Sequence, residues 1–259
     1  MRNHRRLLVV AGLAAAAAAA APSSGGAVGV GSGHLGTARV TQHTPRAGGR
    51  TARCGADSAR VVIRGRASCL RAGASCRGRL NPSYHRYAFH CSHGSLRFWW
   101  TGLLRRPLKV PTLAPGSACP ASTVGGTLGE RGNVDAPDVP AFGPGPAYPT
   151  LGAQSGHGEL IYSPTGGLDG WGGTKMLWTV PRYYGPVVVR GRQLDGPNEL
   201  RFDRGPSWTN RLHRDLRLIG PYPWLNPAAT YVLSPGCYAY QVDGRGFSYL
   251  IAFEARPES

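Results

Sequence analysis

Acidic side chains are scarce in this chain, with 13 Asp and Glu against 30 Lys and Arg. Those carried by residues 119–259 are scattered singly among turns and strand-like runs, so no glycosidase-type pair of carboxylates is identifiable. The Gly-x-Ser-x-Gly pattern of a nucleophile elbow is missing. Its nearest approach, Ala153-Gln154-Ser155-Gly156-His157, lacks glycines at the required offsets, so Ser155 and His157 read as a loop coincidence. A Gly-rich phosphate loop is missing as well; the 38 glycines and 22 prolines punctuate turns. No helical stretch of respectable length is visible, and the short apolar runs are strand-like, which predicts a mainly β protein.

One apolar run does stand out. Three arginines in Met1–Arg6 precede Leu7–Ala21, a stretch without charged or polar side chains, which is the order of a signal peptide over residues 1–26. Arg5-Arg6 also permits twin-arginine export. The run is too short and alanine-rich for a membrane anchor, and no cysteine lies near the cleavage region to carry a lipid. The expectation is a secreted, extracellular protein with no transmembrane anchor after processing. Six cysteines, an even number, suit an oxidising compartment.

Charge divides the chain. Residues 22–118 hold 15 Arg and Lys against Asp57 alone, whereas basic and acidic residues balance in 119–259. A cationic half joined to a neutral one suggests contact with a polyanion, such as an anionic cell-wall polymer, nucleic acid or a membrane surface. The competing explanation is coding bias, since 28 of the 30 basic residues are Arg and Ala and Gly abound.

Residues 27–53 have almost no large apolar side chain and read as a disordered low-complexity segment. Residues 54–100 form a small cysteine-rich module: Val61 to Leu70 suggests a hairpin turning at Gly65, Asn81-Pro82 a helix N-cap, and Tyr84, Tyr87 and Phe89 a shared face. So few residues need bridges for stability. Residues 101–118 read as a Pro-rich linker. In 119–259 eight strands are expected: 158–162, 175–180, 187–193, 200–203, 216–219, 230–233, 237–242 and 247–253. Their spacing favours a β-sandwich or barrel. The last two alternate apolar residues and should pair as a hairpin, with Asp243-Gly244 starting the turn.

Two resemblances follow from these motifs. Cys69-Leu70-x-x-Gly73-x-x-Cys76 with Tyr84-x-x-Tyr87-Ala88-Phe89-x-Cys91-x-x-Gly94-x-Leu96 resembles a small cysteine module of secreted actinobacterial proteins, which has Gly where this chain has Ala88. That resemblance implies an exported, non-catalytic unit. Cys119-Pro120, Leu177-Trp178, Gly191-Arg192-Gln193-Leu194-Asp195-Gly196 and Gly236-Cys237-Tyr238-Ala239-Tyr240-Gln241-Val242-Asp243-Gly244 resemble a secreted bacterial family with no assigned activity. This second resemblance implies an immunoglobulin-like sandwich. Cys119 opens that domain and Cys237 begins its penultimate strand, so these two are expected to pair. Cys54, Cys69, Cys76 and Cys91 then pair among themselves, with three connectivities open.

Candidate ligand contacts are few. Trp171, Tyr183, Tyr184, Trp208, Tyr222 and Trp224 lie in or beside predicted loops, where aromatic rings stack on sugars or partner side chains or else cap the end of the sandwich. Trp178 reads as core. Trp99-Trp100 beside Arg97, Arg105 and Arg106 has the aromatic-plus-basic pairing of nucleic-acid binders, with packing against a domain favoured. His85, His90, Cys91 and His93 crowd together, but oxidised cysteine is no zinc ligand, and Asp135 with Asp138 falls short of a calcium shell. No catalytic residue, metal or cofactor is expected. The expectation is a non-enzymatic binding or scaffolding protein of the envelope or extracellular space. Its basic half would hold it near anionic polymer, and the protein or carbohydrate ligand of its sandwich is unassigned. The alternative is an extracellular hydrolase whose site is assembled from scattered residues.

Overall fold

The computed structural model describes residues 53–151, 158–165, 168–203 and 211–259, together with the backbone but not the side chains of 223 and 224. The expected signal peptide, the low-complexity segment up to residue 52, Ser155, His157 and Trp208 lie outside the described residues. Residues 49–259 form one compact unit.

The N-terminal portion of that unit contains two hairpins. β1 (Ala59–Ile63) pairs antiparallel with β2 (Arg66–Leu70), and Arg64 and Gly65 both adopt positive φ between them, as a tight two-residue hairpin turn requires. A short helix, α1 (Asn81–His85), leads into the second hairpin, β3 (Phe89–Ser92) and β4 (Ser95–Phe98), which turns at His93 and Gly94 with positive φ. Asn81 does not cap α1. It is the first helical residue, and its side chain accepts from Cys91 N at 2.6 Å and donates to Cys91 O at 3.2 Å, so it staples the helix to β3. Ala88 takes φ +58° at the position where the resembled module has Gly. Bridges Cys54–Cys69 and Cys76–Cys91 flank a core of Val61, Ile63, Leu70, Tyr84, Phe89 and Leu96. Tyr184, from far along the chain, closes that core and accepts a bond from Ala72 N at 2.9 Å.

Helix α2 (Trp100–Leu104) follows, then the small pair β5 (Val124–Thr127) and β6 (Pro140–Phe142). The remaining strands are β7 (Tyr148–Pro149), β8 (Glu159–Tyr162), β9 (Gly172–Gln193), β10 (Arg201–Asp203), β11 (Leu216–Val232), β12 (Gly236–Gly244) and β13 (Phe247–Pro257). They form one seven-stranded curled sheet in the order β10-β11-β9-β12-β13-β8, with β7 also on β9. All pairs are antiparallel except β13 with β8.

Two pairs of expected strands are single long strands. Pro181 and Pro186 lie within β9, and Pro221 and Pro223 within β11, where they read in sequence as breaks. The ladder between these strands shifts register at Gly220/Tyr222 and again at Tyr222/Asn226. Pro181, Pro221 and Pro223 fall within these shifts, where a residue without a ladder donor is accommodated and the strand bends without ending, whereas Pro186 and Pro227 stay in the ladder opposite Ile219 and Leu177. The bends curl the sheet around one core in which Trp178, Tyr238, Tyr240, Phe202 and Phe253 are fully buried.

Strand β12 is buried on both faces. Tyr238, Tyr240 and Val242 point into the main core, while Cys237, Ala239, Gln241 and Asp243 lie beneath residues 106–113. The segment expected to be a linker is therefore fastened to the sheet along much of its length. Lys109 N donates to Gln241 Oε1 at 2.6 Å, Gln241 Nε2 donates to Pro107 O at 3.0 Å, and Leu113 N donates to Leu194 O at 2.6 Å. Arg190 donates to the carbonyls of Leu104 and Arg106, and Arg192 to Val110 O and Thr112 Oγ1. Val110 and Leu113 pack on Leu194 and Ala252, and Cys119–Cys237 bonds the end of the segment to β12.

Candidate functional site

Exposed positive charge dominates the N-terminal region of the described chain. Of the Arg and Lys residues between 53 and 109, only Arg106 is not exposed. The hairpin β1–β2 carries Arg60, Arg64 and Arg66, and its alternation puts Val61 and Ile63 in the core while Arg60 and Val62 face out. Asp57, the sole acid of this region, binds Arg71 at 3.0 Å with both side chains largely exposed, a pair of little energetic weight. The excess charge is left to solvent or to a partner.

Where this region meets the sheet, a cavity of about 200 Å³ is lined by His85, Arg86, Trp99, Gly102, Arg106 and Arg245. These side chains come from the end of α1, the start of α2, the segment after α2 and the β12–β13 turn. His85 stacks on Trp99 with ring centres 3.7 Å apart, and its Nε2 lies 2.9 Å from His90 Nδ1. Burial, and secondly the charge of His90, holds the His85 imidazole below its usual range, favouring the neutral ring. A Cβ on Gly102 would meet the Trp99 ring at 2.5 Å, so only glycine admits that ring. Arg245 lies over the Tyr183 ring, and its Nε is buried without a hydrogen-bond partner.

Next to this cavity lies a buried ion network. Asp243 is 0% exposed and receives Arg190 Nη2 at 2.7 Å and Gln241 Nε2 at 2.9 Å, with Arg106 Nη1 at 3.8 Å. One carboxylate thus faces two guanidiniums. A second cleft of about 670 Å³ beside Cys119–Cys237 holds Glu159, Asp195 and Glu254. Its acids are engaged: Arg256 reaches Glu254 at 2.9 Å and Glu159 at 3.5 Å, and both Asp195 carboxylate oxygens accept from Cys237 N. The hydrogen bond from Arg256 keeps the Glu254 carboxyl below its ordinary range, where it is a poor general acid.

The aromatic candidates do not converge. Tyr183 is buried in the main core, where its hydroxyl accepts from Arg245 N at 2.8 Å and its ring meets Phe247 edge-on. Tyr184 faces the other way, against Phe89 and Phe98. Trp171 is half-buried with Arg201 over its ring, and Tyr222 is half-buried, its carbonyl accepting from Thr179 Oγ1. Trp99 is held between His85 and Gly102, and Trp100 lies against Phe98 with Arg217 over its ring, so both rings are used in packing. Trp178 is core. Cys91 is bonded to Cys76 and offers no thiolate to the neighbouring histidines. Asp135 accepts from Leu225 N at 3.1 Å. Among the described residues no three His, Cys, Asp or Glu side chains group as metal ligands. Arg86 and Arg245 escaped the sequence reading because neither carries a local signal: Arg86 sits among aromatic residues and Arg245 is one residue of a Gly-Arg-Gly turn.

No protein-family model matches the chain, and neither does any curated protein or solved structure.

Proposed function

We propose that the protein is an exported, non-enzymatic binding or scaffolding protein of the cell envelope or extracellular space, held to anionic polymer by its basic first half. The curled sheet serves in this reading as an immunoglobulin-like platform. The observation that carries it is the exposed arginine surface of residues 53–109, in which Asp57 is the sole acid and Arg60, Arg64 and Arg66 lie on the first bridged hairpin. Three disulfides fit an oxidising compartment, and among the described residues no helix is long and apolar enough to cross a membrane. The rival hydrolase reading would use the carboxylates beside Cys119–Cys237, but these are committed to Arg256 and to the backbone of Cys237.

The test is co-sedimentation of the full chain with purified anionic envelope polymer as salt is raised. Each contact that releases counterions steepens the salt dependence, so retention should fall sharply between about 50 and 200 mM salt. Replacing Arg60, Arg64 and Arg66 together by Gln should flatten that slope. Retention that is absent, or indifferent to salt, removes the reading.

A further inference from the structure

We propose that the cavity formed by Arg86, Arg106, Arg245 and His85 is a binding site for a single phosphoryl group, such as the phosphomonoester end of an anionic polymer. The inference rests on the polyanion reading above and assigns the ligand class and place that the surface charge alone leaves open.

Four observations converge. Three guanidiniums from three separated stretches of chain line one cavity, and none of its lining residues is acidic. Neither Arg86 nor Arg245 pairs with a carboxylate among the described residues, and the nearest acid, Asp243, is already held by Arg190. Arg106 donates to the carbonyls of Gly244 and Phe247, which fix its position, and it shares Asp243, at 3.8 Å, with Arg190, which holds that carboxylate more closely at 2.7 Å. Arg245 lies over the Tyr183 ring with a buried Nε that has no hydrogen-bond partner, so no carboxylate neutralises its charge.

Shape and charge then select the class. At about 200 Å³ the cavity takes one compact group and not a run of polymer. The ring of Trp99 is sandwiched by His85 and Gly102, which leaves no free face for a nucleobase or a sugar. Guanidinium groups pair bidentately with phosphate oxygens, and a phosphomonoester, carrying close to two charges at neutral pH, matches three of them better than a carboxylate does. His85 adds a ring nitrogen at the wall.

Titration calorimetry of the full chain with inorganic phosphate, glycerol phosphate and acetate tests the site. Saturable binding of both phosphates with acetate at least tenfold weaker is expected. Tighter glycerol phosphate assigns the site to an esterified end, tighter inorganic phosphate to the free ion, and either order supports the site. Arg245→Gln should weaken phosphate binding at least tenfold, and Arg86→Gln, at an exposed position, should do so several-fold. Arg60→Gln with Arg64→Gln should leave phosphate binding unchanged while reducing retention on polymer. Absence of saturable phosphate binding, equal binding of acetate, or unaltered binding in both Arg86→Gln and Arg245→Gln would overturn the proposal. Phosphate binding without retention on polymer leaves this site standing and sinks only the polyanion reading.

Discussion

Truncating Asp243 to Ala is the most informative single perturbation of this fold. Its carboxylate is fully buried between Arg190 and Gln241, and Arg190 is itself mostly withdrawn from water, its side chain 15% exposed. Removing one member of a buried ion pair leaves the other charge uncompensated, which costs about 3–5 kcal/mol. Arg190 retains the carbonyls of Leu104 and Arg106, and Arg106 at 35% exposure is partly screened by solvent, so the lower end, about 3 kcal/mol, is expected. For a chain of this size that lowers Tm by roughly 6–12 °C. The double variant Asp243→Leu with Arg190→Met removes both charges and should recover a good part of the loss, because the penalty is one of desolvation and not of a missing bond. Urea denaturation of Asp243→Leu, Arg190→Met and the double variant provides the cycle. A loss below about 1 kcal/mol for Asp243→Ala, or additive single effects, would show that the network is not dry and refute the argument.

Replacing both Cys119 and Cys237 by Ser opens a loop of 118 residues, worth at most about 5 kcal/mol in the chain-entropy model, and denaturant midpoints should fall accordingly. Peptide mapping without reductant should recover the linked pairs 54–69, 76–91 and 119–237. Ala88 at φ +58° bears left-handed strain of about 1–2 kcal/mol, so Ala88→Gly should stabilise by up to about 1 kcal/mol after the entropy of the unfolded chain is deducted, and Ala88→Val should destabilise by more than about 2. Chemical denaturation decides, and a clearly weakened Ala88→Gly protein would contradict the assignment. His85 protonates less readily folded than unfolded, so its contribution is complete above the unfolded pKa near 6.5 and is lost as pH falls through the folded value. His85→Phe keeps the stack on Trp99 and should flatten the decline of stability between about pH 7 and 5.

The elements most legible in the sequence were those whose partners are close in the chain. Tyr238, Tyr240 and Val242 alternate against Tyr249, Ile251 and Phe253, and β12 pairs β13 in that register, the turn falling two residues later than expected, at Arg245-Gly246. Gly65 marked the first small hairpin because positive φ at a turn has a residue preference. Pro181, Pro221 and Pro223 misled because proline ends a regular ladder but tolerates a bulge, and only the register of the partner strand reveals which applies; Pro186 misled although it keeps its place in the ladder opposite Ile219. The covering of the sheet by residues 106–113 had no local trace: it depends on Arg190, Arg192 and Gln241, whose alternation with Val189, Gly191 and Val242 looks like an ordinary solvent face. The cavity lined by Arg86, Arg106 and Arg245 was hidden for the same reason, its components being separated by up to 159 positions in a chain rich in arginine.

Load applied to the hairpin region would reach the sheet through the contact of Tyr184 with the hairpin core and through the segment that follows α2, whose side-chain and backbone bonds to Arg190, Arg192, Gln241 and Leu194 would break in succession. Peeling stops at Cys119, where a covalent bond to β12 takes the strain and the core behind it stays closed. Releasing the residues between Leu104 and Cys119 frees roughly 50 Å of extended chain. If the hairpin region were held to a surface as proposed, this arrangement would act as a slack of fixed length that yields under tension while the bridged sheet stays closed.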